Sequence, residues 1–151
     1  MELDADVPPE VLRAALIDFG PDRPLNWPGL DASLYELRTV GATWADVKEG
    51  TKRPGLHIWS IEHYDWSDPH AVDITVRESN FAAVGSHTLV TISPTPSGGS
   101  HVRFDWYRTG VGVRGKVLIA LLVLLRGGPI TRSFELGVAA IRQRHGGGTR
   151  A

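Results

Sequence analysis

The stretch HVRFDWYRTGVGVRGKVLIALLVLLRGGPITRSFELGVAAIRQRH, residues 101–145, decides the fold. Val102, Phe104 and Trp106 alternate with Arg103, Asp105 and Tyr107, the period-two pattern of a strand with one buried face. Ile130, Phe134, Val138 and Ile141 then recur at spacings of four, four and three, which puts one continuous apolar stripe on a helix over Ile130 to His145. Between them, Val117 to Leu125 is apolar without interruption. A strand, an apolar segment and a terminal amphipathic helix in that order predict an α+β fold. In it, a curved antiparallel sheet grips the helix and encloses a cavity.

Upstream residues extend the sheet. Strands are predicted over Leu34–Val40, Thr43–Glu49, Leu56–Trp66, His70–Glu78, Ser86–Ser93 and His101–Thr109. The breakers between them are Gly41, Arg53-Pro54-Gly55, Ser67-Asp68-Pro69, the loop Ser79 to Gly85, and Pro94 to Ser100. Short connections imply antiparallel meander pairing rather than parallel strands with crossover helices. A short strand, Glu2 to Val7, precedes Pro8-Pro9-Glu10, a helix start with proline and an acid in its first turn. In the strand His70–Glu78, Val72, Ile74 and Val76 share the apolar face. Extending that phase, and the phase of Phe104 and Trp106, brings Glu78 and Arg108 to the inner face. The competing reading is that these strand ends are solvated and that parity slips at a bulge.

Composition narrows the function. A chain of 151 residues with net charge -1 is one domain by size and has no overall basic footprint for nucleic acid. Residues 1–145 are expected to form it, with a flexible glycine-rich tail over 146–151. No cysteine is present, which excludes thiol chemistry and cysteine-held metals. Acids at Glu2, Asp4, Asp6 and Glu10 replace the basic start of a secretory signal, so a cytoplasmic location is the expectation. From Arg114 onward seven Arg or Lys face the single acid Glu135. Val117 to Leu125, nine residues long, is about half the length of a membrane-spanning helix. It has no polar face and needs a cover: the sheet rim and terminal helix, a second copy in a homodimer, or a membrane surface.

Motifs for common chemistries are weak. Gly110-Val111-Gly112-Val113-Arg114-Gly115 fits GxGxxG, but the strand before it alternates as an antiparallel strand does, and the 36 residues after it are too few for a dinucleotide-binding crevice. The glycines read as a turn near the cavity mouth. His57 and His63 lie roughly 20 Å apart on an extended strand. No HxxxH or HExxH spacing occurs on a helix, so no metal site is expected. The aromatic residues are better candidates for lining a pocket, and Trp59, Phe81, Phe104, Trp106 and Phe134, with Val76 and Val138, form the expected apolar lining.

The short first strand, Pro8-Pro9-Glu10-Val11, the Trp27 segment, the strand run containing Trp66-Ser67-Asp68-Pro69 and the helix from near Pro129 together resemble the START-like superfamily. This superfamily, also called SRPBCC, includes the polyketide cyclase/dehydrase and lipid-transport groups. The resemblance spans nearly the whole chain and implies a helix-grip fold of six or seven strands, short N-terminal helices and a hydrophobic pocket between sheet and terminal helix. The implied function is binding or carriage of a lipid-like or polyketide-like molecule, with no cofactor. The alternatives are an aromatase/cyclase-like enzyme, with Glu78, Arg108, His63 and His87 as acid–base candidates, and a dimerising or membrane-surface module acting through Val117 to Leu125. Several inward ionisable groups would favour the enzyme and an apolar lining the carrier; strand parity supplies few such groups, which favours the carrier.

Overall fold

A computed structural model describes residues 1–146. Seven strands form one antiparallel sheet: β1 (Glu2–Ala5), β2 (Glu36–Val40), β3 (Trp44–Arg53), β4 (Leu56–Asp65), β5 (Ala71–Ser79), β6 (His87–Pro94) and β7 (Ser100–Tyr107). Their order is β1-β7-β6-β5-β4-β3-β2, so every neighbouring pair but β1–β7 is consecutive in the chain. Four helices complete the fold: α1 (Pro9–Leu16), α2 (Arg23–Asn26), α3 (Gly112–Leu124) and α4 (Gly128–Gly146). The expected strand from Leu34 starts two residues later, because Ala32–Leu34 form a single 3-10 turn capped by the Asp31 side chain. The apolar run Val117 to Leu125 is the greater part of α3, which begins at Gly112. Of the expected tail, residues 147–151 lie outside the described residues, while Gly146 closes α4.

One face of the sheet carries the core. Ala45, Val47, Tyr64, Val72, Ile74, Val90, Ile92, Val102 and Phe104 alternate inward along β3 to β7 and join Leu12 and Leu16 of α1 and Phe134 and Ile141 of α4. The expected apolar stripe of α4 thus faces the sheet, where Phe134 meets Phe104 edge-on at 4.8 Å and Trp27 at 5.3 Å between ring centroids. Arg13 pins α1 to the β4–β5 turn by donating to the carbonyls of Trp66, Asp68 and Ala71. Arg144 donates to the Asn26 side chain and ties α4 to α2.

Gly137 sets how closely α4 approaches this layer. A Cβ there would stand 2.3 Å from Trp27 Cε3. Helix propensity alone favours Gly137→Ala by up to about 1 kcal/mol. Because the added methyl overlaps a packed ring, we expect Gly137→Ala instead to destabilise by about 1–3 kcal/mol in equilibrium denaturation. A more stable variant would show that Trp27 is free to move aside.

Candidate functional site

A cavity of about 610 Å³ lies between the sheet, α3 and α4. Its lining is mainly apolar: Leu118, Leu121 and Leu122 of α3 and Ile130 and Phe134 of α4 face Ile58, Ile74, Val90, Phe104 and Trp106 of the sheet. Trp59 and Phe81 also border it, whereas Val76 and Val138 do not. Val76 has the inward parity and no exposure, and Val138 packs against the core one turn beyond Phe134. Trp59 has the outward parity of β4, and Lys48 Nζ lies 5.0 Å from its ring centroid. Phe81 is held by a compact loop in which Ser79 Oγ accepts from the Phe81 and Ala82 amides and donates to the Trp59 carbonyl.

The glycine motif shapes the roof. Gly112 opens α3 with φ of 63°, in the left-handed region that favours glycine, and a Cβ on Gly115 would lie 2.3 Å from the Phe81 carbonyl oxygen. The spacing therefore serves a turn and a close helix–loop contact.

The polar wall departs from the strand-parity expectation. Six ionisable side chains border the cavity: Arg53, which is exposed at the end of β3, and Arg23, Glu49, Glu62, Tyr64 and Arg108, which form two groups. In one group Arg23 Nε meets Glu49 Oε1 at 2.5 Å, with the side chains 3% and 9% exposed. Tyr64 Oη donates to Glu49 Oε2 at 2.7 Å, and Arg23 Nη1 donates to the carbonyls of Leu16 and Asp18. Burial works against the Arg23 cation, but Glu49 and the Tyr64 oxygen outweigh it and hold the guanidinium above its ordinary range. Burial, reinforced by Glu49, pushes the Tyr64 phenol well up despite Arg23.

In the second group Arg108 Nη1 donates to Glu62 Oε1 at 2.7 Å, and Ser60 Oγ donates to the same oxygen at 2.7 Å. Against the cost of burial, Glu62 raises the Arg108 pKa. Glu62 Oε2 has no hydrogen bond among the described residues, and no fully sealed side-chain polar atom among them lacks a partner. That oxygen therefore opens onto the cavity that Glu62 borders. A carboxylate oxygen in an apolar cavity, backed by a cation and a hydroxyl, can accept a hydrogen bond or a proton from whatever occupies the space.

Of the acid–base candidates named from sequence, Arg108 reaches this wall and the other three do not. Glu78 is exposed, because the β4–β5 register shifts from Ile61–Glu78 to Glu62–Val76 and leaves Arg77 as an extra residue. His63 lies on the outer face, with Nδ1 2.7 Å from Asp46 Oδ1 and its ring stacked on Trp44 at 5.6 Å. His87 packs against Tyr107, also away from the cavity. Glu49, Glu62 and Arg23 escaped sequence reasoning. A signal for the two glutamates existed: a two-residue Pro54-Gly55 turn pairs Arg53 with Leu56, and counting back sets Glu49 opposite Ser60 and Val47 opposite Glu62. Among the described residues, no group of three or more His, Cys, Asp or Glu is placed to hold a metal ion.

No family model matches the sequence, and no curated protein matches it either. Solved structures do match in shape. A Thermus thermophilus protein superposes with a TM-score of 0.73 at 14% identity, over 95% of this chain and 96% of its own. The ZhuI aromatase/cyclase of a Streptomyces species gives 0.69 at 10% identity, over 100% and 94%. A START superfamily protein from Mycobacterium smegmatis gives 0.69 at 11%, over 92% and 94%. The chain has the helix-grip fold that START-like proteins share.

Two outcomes test the polar wall. Arg23→Met leaves the Glu49 charge buried without its partner and is expected to cost about 3–5 kcal/mol, part of which the double variant Arg23→Met, Glu49→Leu recovers. Tyr64 stays protonated in the folded state where an unfolded tyrosine ionises. Its contribution is therefore whole below about pH 10 and is lost as pH rises from there toward the folded pKa, by up to about 1.4 kcal/mol per pH unit. In denaturant titrations above about pH 10, Tyr64→Phe is expected to lose stability less steeply than the parent.

Proposed function

We propose that this chain binds a hydrophobic small molecule, lipid-like or polyketide-like, in the cavity under α3 and α4, with a polar end of the ligand at Glu62. The observation that carries this reading is the division of the lining. Aliphatic and aromatic side chains of α3, α4 and the sheet cover most of it, and the Glu62–Arg108 pair stands on the β4 and β7 side. A cavity of about 610 Å³ falls within the range of small-molecule pockets, which are largely apolar with a few convergent polar groups. A ligand that donates a hydrogen bond to Glu62 Oε2 satisfies an acceptor that the fold leaves open. The START-like and aromatase/cyclase neighbours support an apolar ligand of this kind.

Native mass spectrometry of the purified protein, with denaturing extraction, is expected to release an apolar molecule. Titration with the apolar dye Nile red is expected to saturate at one site. Ile74→Trp narrows the cavity from the sheet side and should weaken dye uptake at least about tenfold. An empty protein with no saturable uptake, or equal uptake by Ile74→Trp, would sink the proposal.

Two observations favour a second reading, an aromatase/cyclase-like enzyme: more ionisable side chains border the cavity than strand parity predicts, and the open oxygen of Glu62 can take a proton from a bound substrate. On that reading Glu62→Gln lowers turnover of a β-keto thioester mimic by about 10²–10⁴-fold while Nile red binding stays unchanged. Turnover that survives the substitution would remove Glu62 from catalysis.

A further inference from the structure

α3 is apolar on two sides. Gly115 and Ile119 are buried, and Leu118 and Leu122, on the same side, roof the cavity. The opposite side carries Val113, Val117, Ala120 and Leu124 at spacings of four, three and four, one unbroken helical face, and all four are exposed. Leu121 sits at the boundary, exposed and also bordering the cavity. Val113 is 82% and Leu124 76% exposed, and Val123 widens the patch at its end. A helix apolar all round normally has neighbours on every side. Among the described residues, nothing covers this face.

Charge identifies the cover. Arg114, Lys116, Arg126 and Arg132 are exposed on or beside α3, and no acidic residue occurs between Asp105 and Glu135. A second copy docked symmetrically on this face would bring one basic fringe against another, because a two-fold interface pairs a patch with itself. An anionic bilayer supplies the opposite charge to the fringe and hydrocarbon to the face. At 13 residues α3 is about 20 Å long, and no single helix among the described residues is long and apolar enough to cross a membrane, so α3 would lie in the interface plane.

We propose that the outward face of α3 docks on an anionic membrane surface, with Val113, Val117 and Leu124 entering the acyl boundary and Arg114, Lys116 and Arg126 at the phosphates. The site is separate from the cavity wall, since Val113, Val117 and Leu124 do not border the cavity.

The full chain is to be sedimented with vesicles of phosphatidylcholine alone and with phosphatidylglycerol added. Binding is expected to the anionic vesicles, to weaken as salt rises, and to be at least about tenfold lower for pure phosphatidylcholine. Val117→Glu with Leu124→Glu should abolish it while leaving thermal unfolding and Nile red uptake unchanged, because both positions are exposed and outside the cavity. Each of Arg114→Gln and Lys116→Gln should lower the partition coefficient about fivefold. Three results would overturn the proposal: no binding to anionic vesicles, undiminished binding by the double glutamate variant, or a parent dimer that this variant converts to monomer.

Discussion

A guanidinium cannot shed its charge at any ordinary pH, so a fold that buries Arg23 must supply anions and carbonyl oxygens around it. Two backbone carbonyls come from the end of α1 and the residues after it, the carboxylate from β3, and the phenol from β4. The Phe19 ring lies beneath, 4.5 Å from the guanidinium carbon. One side chain thereby joins the α1–α2 connection to two strands whose register must place Glu49 and Tyr64 on the same face. The β3–β4 hairpin meets this demand, because Ala45 pairs with Tyr64 and Glu49 with Ser60. Charge pairing in a dry interior is more expensive to break than to replace, so the network constrains register more than it adds stability.

The same strand geometry makes the cavity two-natured. Inward positions on β5, β6 and β7 are aliphatic or aromatic from Val72 to Val76, at Val90 and Ile92 and at Val102 and Phe104, with only the hydroxyls of Thr88 and Ser100 at strand ends. Those on β3 and β4 turn polar along Glu49, Ser60, Glu62 and Tyr64. Arg108, just past β7, reaches across to Glu62, so the polar wall is closed by residues far apart in sequence. Within that wall, Glu49 is bonded through both oxygens to Arg23 and Tyr64, whereas Glu62 is bonded through one. A spare acceptor of this kind serves recognition in a carrier and proton transfer in an enzyme. The two readings therefore share a pocket and differ only in the chemistry of the occupant.

Legibility in the sequence followed the strength of local patterning. β7 and α4 were readable because Val102, Phe104 and Trp106, and then Ile130, Phe134, Val138 and Ile141, keep one period without exception. The cavity between them followed from element order. β4 was not readable in the same way: Ile58, Ser60, Glu62 and Tyr64 on one parity and Trp59, Ile61 and His63 on the other give neither face a clear apolar preference. Its inward face is decided by β3, whose Ala45 and Val47 are plainly apolar, and only the hairpin register transfers that information. Arg23 was hidden for another reason. It belongs to an irregular connection with no periodicity, and its burial depends on a carboxylate 26 positions away. Glu78 failed at a bulge, where one additional residue inverts every later side chain of the strand.

The two ends of α3 carry a kinetic consequence. Gly112 at one end and Arg126 just past the other both adopt positive φ, and of the thirteen residues between the turns only Gly115 and Ile119 are buried. An element with so little buried surface has a low free-energy cost of local opening compared with the sheet. Residence time in the cavity would then be governed by the opening rate of α3 and affinity by the wall beneath it. Evolution could retune how fast an occupant is exchanged by altering the turn at Arg126, leaving every side chain that touches the occupant as it is.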